Sequence, residues 1–279
     1  MKRSEINRAL QEMEATLQHY QINLPPFCHF TPDEWREKGH EYDEIRDNML
    51  GWDITDYGQG DFDKVGFSLI TLRNGNLKMR DRYAKTYAEK LIYLKEGQYS
   101  PNHFHWSKME DIINRCGGTL LIRVYNSLPD ESIDRVSDVT VHLDGRTVTV
   151  PAGTQVRLEP GMSISIQPRL YHDFEVEPGT GPIVIGEVSQ CNDDNTDNRF
   201  NPPVGRFPTI EEDEPPTACC AMSTPPRSDD SAGRPCSFLI FGVIFPPSKR
   251  KLPLSPSDNG SPLIERGGPF VCEWAASFC

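Results

Sequence analysis

Apolar residues recur near the start of the chain at Ile6, Leu10, Met13, Leu17 and Tyr20, in steps of four and three with polar residues between them. This spacing predicts an amphipathic helix with one buried stripe, and Ser4 stands where an amino-terminal cap is expected. The stripe must pack on the body of the protein or on a second copy of the chain. From about Gly66 the period shortens. Residues 65–72, 90–94, 119–125 and 139–143 are strand-length runs rich in β-branched and apolar side chains. Asp144-Gly145 joins 139–143 to 146–150, and this pair tolerates the positive φ angles of a two-residue hairpin turn. Further runs at 156–158, 162–166 and 182–188 follow, with Glu159-Pro160-Gly161 marking another turn. Short strands at such regular intervals predict an antiparallel sandwich or barrel.

The pattern stops after Glu211-Glu212-Asp213-Glu214-Pro215-Pro216. Residues 218–279 hold nine prolines, nine serines and five glycines without a sustained period. Fixing such a segment costs about 1–2 kcal/mol of backbone entropy per residue, and its scattered apolar residues present no coherent face to offset that. The expected organisation is therefore one domain over 1–217. The tail over 218–279 reads as disordered, or as the product of an altered reading frame.

Charge and cysteine usage narrow the function classes. With 29 basic against 41 acidic residues, the net charge of -12 leaves no broad basic face for a phosphate backbone, so nucleic acid is not an expected partner. The longest apolar run, 238–245, falls short of the roughly 20 residues a membrane-spanning helix needs, and Lys2-Arg3 leads into polar sequence rather than a secretion signal. Five of the eight cysteines lie in the tail; Cys28, Cys116 and Cys191 are isolated thiols that suit a reducing cytoplasm.

The segment 97–117 carries the chemistry. His103 and His105 are two residues apart, so on a strand both imidazoles point to one face. Glu110 lies far enough downstream for the chain to bend and return a carboxylate, and His172 follows the strand-like run 162–166 and a turn at Gln167-Pro168. Three neutral nitrogens and one carboxylate suit Mn, Fe, Co, Ni or Zn, with positions open for substrate oxygens. The remaining histidines, His19, His29, His40 and His142, are expected as surface or hydrogen-bonded side chains. Residues 192–197 have the composition of a calcium loop but lack its central glycine and twelfth-position glutamate, so a polar loop is expected. Lys249-Arg250-Lys251 is too short a cluster for a nucleic-acid patch.

Gly97, five residues, His103-x-His105, four residues, Glu110, six residues and Gly117 together match the first signature of the cupin superfamily. The second signature departs from the pattern: Pro168-Arg-Leu-Tyr-His172 is one residue shorter and lacks its glycine. The opening 1–7, the stretch 103–114 and the stretch 205–216 further resemble the D-lyxose isomerase family of cupin sugar isomerases, over about residues 1–217. The resemblance implies a mainly β cupin double-stranded β-helix, or jelly-roll barrel, with an N-terminal amphipathic helix and flanking helices. It also implies a homodimer and a divalent metal, usually Mn2+. The implied reaction interconverts D-lyxose and D-xylulose, often with D-mannose and D-fructose as a second pair.

Such an isomerisation moves a proton between C1 and C2, a carbon acid too weak for an unaided side chain. A metal bound through two substrate oxygens stabilises the enediolate while a carboxylate or lysine shuttles the proton. Lys108, three residues after His105, is a candidate to stabilise the negative oxygen, against a solvated loop lysine. Lys90 either points inward from a neighbouring strand or marks an exposed strand end. For the base, the resemblance favours a late glutamate; Glu211, in the acidic run that would cover the barrel mouth, is the first expectation and Glu187, central in an apolar strand, the second. Two other readings stay open here: an iron-dependent cupin dioxygenase, which the family-like end segments oppose, and a non-catalytic sugar-binding cupin, which the metal-ligand set opposes.

Overall fold

Helix α1, Arg3–His19, begins one residue before Ser4 in the computed structural model, which describes residues 1–221 and 224–225. Ile6, Leu10, Met13 and Leu17 are buried as the periodicity predicts, whereas Tyr20 lies past the last turn and is 40% exposed. Ser4 does not cap the helix. Its hydroxyl and amide donate to the Asp213 carboxylate at 2.7 and 2.9 Å, while the Lys2 amide donates to Glu5 Oε2 at 2.7 Å. The free amides of the first turn thus find acceptors on Glu5 within the helix and on Glu211 and Asp213 of a distant segment, and the Glu5 and Asp213 carboxylates also complement the positive end of the helix dipole. Two short helices follow, α2 at Pro32–Arg36 and α3 at Asp43–Asp47. Thr31 caps α2 by accepting from the Glu34 amide at 3.2 Å, and Pro32 occupies the first helical position.

Strands occupy most of the remainder. They are β1 Gly51–Thr55, β2 Phe67–Arg73, β3 Tyr87–Leu94, β4 Tyr99–Phe104, β5 Glu110–Gly117, β6 Leu120–Ser127 and β7 Ile133–Asp134. The second half adds β8 Val139–Leu143, β9 Arg146–Val150, β10 Gln155–Leu158, β11 Ser163–Ile166, β12 Tyr171–Val176, β13 Ile183–Gln190 and β14 Arg199–Phe200. The large sheet runs β1-β2-β3-β13-β5-β11-β8-β9 and the small one β10-β6-β12-β4-β14, with β7 beside β6 and every pairing antiparallel. The β8–β9 hairpin turns on Asp144 (φ 48°) and Gly145 (φ 78°), as the Asp-Gly pair predicts.

Alternation along the strands sorts the side chains into two cores. Leu69, Ile92, Ile112 and Ile185 of the large sheet meet Ile122, Val124, Phe174 and Val176 of the small sheet, closing the jelly roll. Facing the other way, Ile70, Leu91, Tyr93 and Val184 lie under the α1 stripe. Each fully buried aliphatic side chain contributes about 1.5–3 kcal/mol, so the large sheet is held from both faces. This is the antiparallel β architecture that the strand pattern predicts, arranged as the mainly β cupin barrel that the resemblance implies.

Ala218 and Cys220 pack against the α1 core, so the body continues past residue 217. The expectations for 226–279, including Lys249-Arg250-Lys251, lie outside the described residues. Cys28, Cys116 and Cys191 are free thiols, and no helix among the described residues is long and apolar enough to cross a membrane.

Candidate functional site

The small sheet brings three imidazoles together between the two sheets. His103 on β4 and His172 on β12 are direct cross-strand partners with ring centroids 4.3 Å apart, and His105, one residue beyond β4, lies 5.2 Å from His103. All three are buried, and their ring nitrogens fall within 4.8 Å of one another. Each Nδ1 faces a backbone carbonyl: Pro101 at 2.8 Å for His103, Asp197 at 2.7 Å for His105 and Leu170 at 3.0 Å for His172. A carbonyl only accepts, so each Nδ1 carries a proton, which in the neutral ring leaves the Nε2 lone pair as the one available to a metal. Burial, followed by the neighbouring imidazoles, holds the His103 pKa well below its ordinary value and keeps that ring neutral. Phe200 and Phe174 wall the cluster, with ring centroids 5.3 Å from His103 and His172 respectively.

From the large sheet come the charges. Glu110 opens β5 with Oε1 3.2 Å from His172 Nε2 and 3.5 Å from His105 Nε2, and its Oε2 is 2.7 Å from Lys108 Nζ. The contact with His172 lacks hydrogen-bond alignment, leaving that Nε2 buried without a hydrogen-bond partner. An orphaned imidazole nitrogen beside two more and a carboxylate fits a bound metal ion.

Glu187 lies mid-strand on β13, directly opposite Lys90 on β3. Its Oε1 accepts from Lys108 Nζ at 2.9 Å and Ser189 Oγ at 3.1 Å, with Lys90 Nζ 3.4 Å away. Among the described residues, Oε2 accepts no hydrogen bond. Burial disfavours the charge on Lys108, yet Glu110, Glu187 and Asp194 outweigh it and raise the pKa, so Lys108 stays an ammonium.

A three-nitrogen, one-carboxylate pocket beside a lysine-held glutamate narrows the kind of protein, and sequence comparison completes it. The D-lyxose isomerase family model matches residues 1–222. The chain belongs to this family. The D-lyxose/D-mannose isomerase of Serratia proteamaculans is 45% identical over 217 residues, covering 77% of this chain and 94% of that protein. Its counterpart from Escherichia coli O157:H7 is 44% identical over 216 residues, with the same coverage of each. Among solved structures, the L-ribose isomerase of Cellulomonas parahominis with L-psicose covers 76% of this chain and 98% of its own, with a TM-score of 0.50 at 16% identity, a likeness of fold.

In this D-lyxose isomerase family member, seven of the eight residues singled out in the sequence converge: His103, His105, Glu110, His172, Lys108, Lys90 and Glu187. Neither lysine is solvated; both are buried. Glu211 is elsewhere. Its backbone pairs with Met1 and Arg3, and its exposed side chain borders a separate cavity of about 310 Å³ with Lys2, Glu5 and Phe62. Nor does the acidic run cover the barrel mouth, because Arg3, Ser4 and Asn7 of α1 bind Glu212, Asp213 and Glu214.

The sequence assigned no site role to the loop after β13, expected only as a polar loop. Asn192 Oδ1 accepts from Lys90 Nζ at 2.8 Å and Lys108 Nζ at 3.3 Å. The Asp197 carboxylate receives the amides of Ser107 and Lys108, both at 3.0 Å, while its carbonyl orients His105. Asp194 lies 3.9 Å from Lys90 Nζ and 3.5 Å from Arg206 Nη2. Burial pushes the Asp194 pKa up, but Lys90, Arg206 and Lys108 prevail and hold the carboxylate far below its usual range. The one sequence signal was the density of Asn and Asp over 192–197, which is equally the composition of a solvated loop.

Proposed function

We propose that this chain is an aldose-ketose isomerase that interconverts D-lyxose and D-xylulose, and D-mannose and D-fructose, with Glu187 as the proton-transferring base. The names of its relatives support the sugar pair, and the converging His103, His105, His172 and Glu110 support a metal-dependent reaction. A divalent ion held by those four residues, Mn2+ by family resemblance, supplies Lewis-acid stabilisation of negative charge on the sugar oxygens. Resemblance also supports a homodimer acting in the cytoplasm.

The observation that carries the assignment of the base is the asymmetry of the Glu187 carboxylate. One oxygen is anchored by Lys108 and Ser189 with Lys90 adjacent, and the other accepts no hydrogen bond among the described residues. Glu187 Oε2 removes the proton from the carbon next to the carbonyl and returns it to the former carbonyl carbon, while the hydroxyl proton passes from the oxygen of the first of these carbons to that of the second, so that the carbonyl and hydroxyl change places. Lys108, a fixed ammonium between Glu110 and Glu187, donates toward the oxygen that gains charge. Lys90 holds Glu187 and Asp194 in place. Enclosure between two sheets keeps bulk water from exchanging with the transferred proton.

Protein stripped with chelator and then given Mn2+ is expected to form ketose from D-lyxose and D-mannose equally well under air and under nitrogen. Absence of turnover with both sugars overturns the proposal, and oxygen consumption during turnover replaces it with the dioxygenase reading.

A further inference from the structure

The polar row on the inner face of the large sheet extends beyond the site. Glu187 is paired with Lys90, Lys90 with Thr71 and Thr71 with Gly51, so Thr71, Lys90 and Glu187 share one face at successive strand spacings of about 4.8 Å. Asp53, two residues from Gly51 on β1, points the same way. Past Lys90 the row enters a cavity of about 160 Å³ lined by Asp53, Thr71, Asn74, Asn192, Asp194 and Phe207 among others. Asn192 and Asp194 belong to both places, because Asn192 accepts from Lys90 and Lys108 and Asp194 faces Lys90. Thr71 is 5% exposed, yet its hydroxyl makes no hydrogen bond among the described residues. Planar carboxylates and amides, a free hydroxyl and one aromatic ring form a lining suited to sugar hydroxyls and their carbon backbone.

We propose that this cavity is the subsite for the far end of the sugar chain, and that Thr71 is a specificity-determining residue that senses whether a sixth carbon is present. The inference rests on the isomerase reading. With the reacting carbons at Glu187, an extended chain runs along the row over Lys90. Its terminal carbons then reach Thr71, two strands away, with Asn192 and Asp53 beside the last hydroxyls. D-Mannose and D-lyxose share their configuration next to the carbonyl and differ by one carbon at this end, so the contact falls where the two substrates differ.

The test compares Thr71→Leu, which fills the cavity, with Thr71→Ala, which enlarges it. The readouts are the ratio of kcat/KM for D-mannose over D-lyxose and the Kd ratio of the acyclic polyols D-mannitol and D-arabinitol. A pocket sensing one carbon discriminates by about 10- to 200-fold, so Thr71→Leu is expected to lower the D-mannose preference by about 10-fold or more and Thr71→Ala to raise it. Opposite movement of the two ratios supports the subsite, since a purely structural role depresses both sugars together. Ratios that stay put, or move the same way in both variants, overturn it. If Thr71→Leu fails to fold, the rise in Thr71→Ala decides alone. Wild-type protein without turnover of either sugar strikes instead at the isomerase reading, and the polyol Kd ratios then still decide the subsite.

Discussion

Glu187 and Glu211 differ less in sequence than in surroundings. Both are late glutamates; one is 4% exposed among two lysines and a serine, and the other lies on the surface against the chain terminus. Replacing Glu187 with glutamine keeps its volume but removes the proton acceptor. Glu187→Gln is therefore expected to lower kcat by about 10²–10⁴-fold with metal content, measured by elemental analysis, unchanged. Glu211→Gln is expected to retain full turnover in the same assay. The His-x-His pair was legible because a strand has period two, and Glu110 because it completes a chemically sensible donor set. Asn192, Asp194 and Asp197 were not, since their importance lies in which buried lysines and amides they meet.

At the level of elements, α1 and the acidic run 211–214 form one unit. Arg3 Nε and Nη2 donate to the two Glu212 oxygens, each at 2.8 Å, with the Arg3 side chain 3% exposed and that of Glu212 36%. Glu212→Gln weakens a charge-assisted pair at a buried arginine and is expected to cost about 1 kcal/mol in urea denaturation, the larger value for a buried pair being reduced by the exposure of Glu212. The hydrogen bond from Arg3 holds the Glu212 pKa below its usual range. A depressed folded-state pKa gives stability that is present above the unfolded value, about 4.3, and lost as pH falls through the folded one. The gap between wild type and variant should thus be widest near neutral pH and close in acid; a gap that grows on acidification contradicts this. Strands with clean apolar runs, such as β3, β8 and β13, were readable from the sequence. In contrast, β5 and β12 turn Glu110 and His172 inward, and those polar positions break the alternation that announces a strand.

Among the described residues, both cores and the site are built from the first 220 positions. Chain ending after residue 222 is expected to keep the melting temperature and the turnover of the full chain, as differential scanning calorimetry and the isomerase assay would record; loss of either assigns the tail a part in the fold. Period and turn chemistry determined from the sequence alone that the protein is an antiparallel β sandwich or barrel with one amphipathic helix, because hydrophobic alternation and Asp-Gly turns are local. Residue type and spacing likewise determined the four metal-ligand candidates. Tertiary structure alone decided which glutamate faces them, that both lysines are buried, and that an acidic run binds a helix instead of covering the site. Those outcomes depend on sheet order: β13 lies between β3 and β5, which sets Glu187 against Lys90 and beside the Glu110 strand, a juxtaposition of residues some eighty to a hundred positions apart that no local pattern encodes.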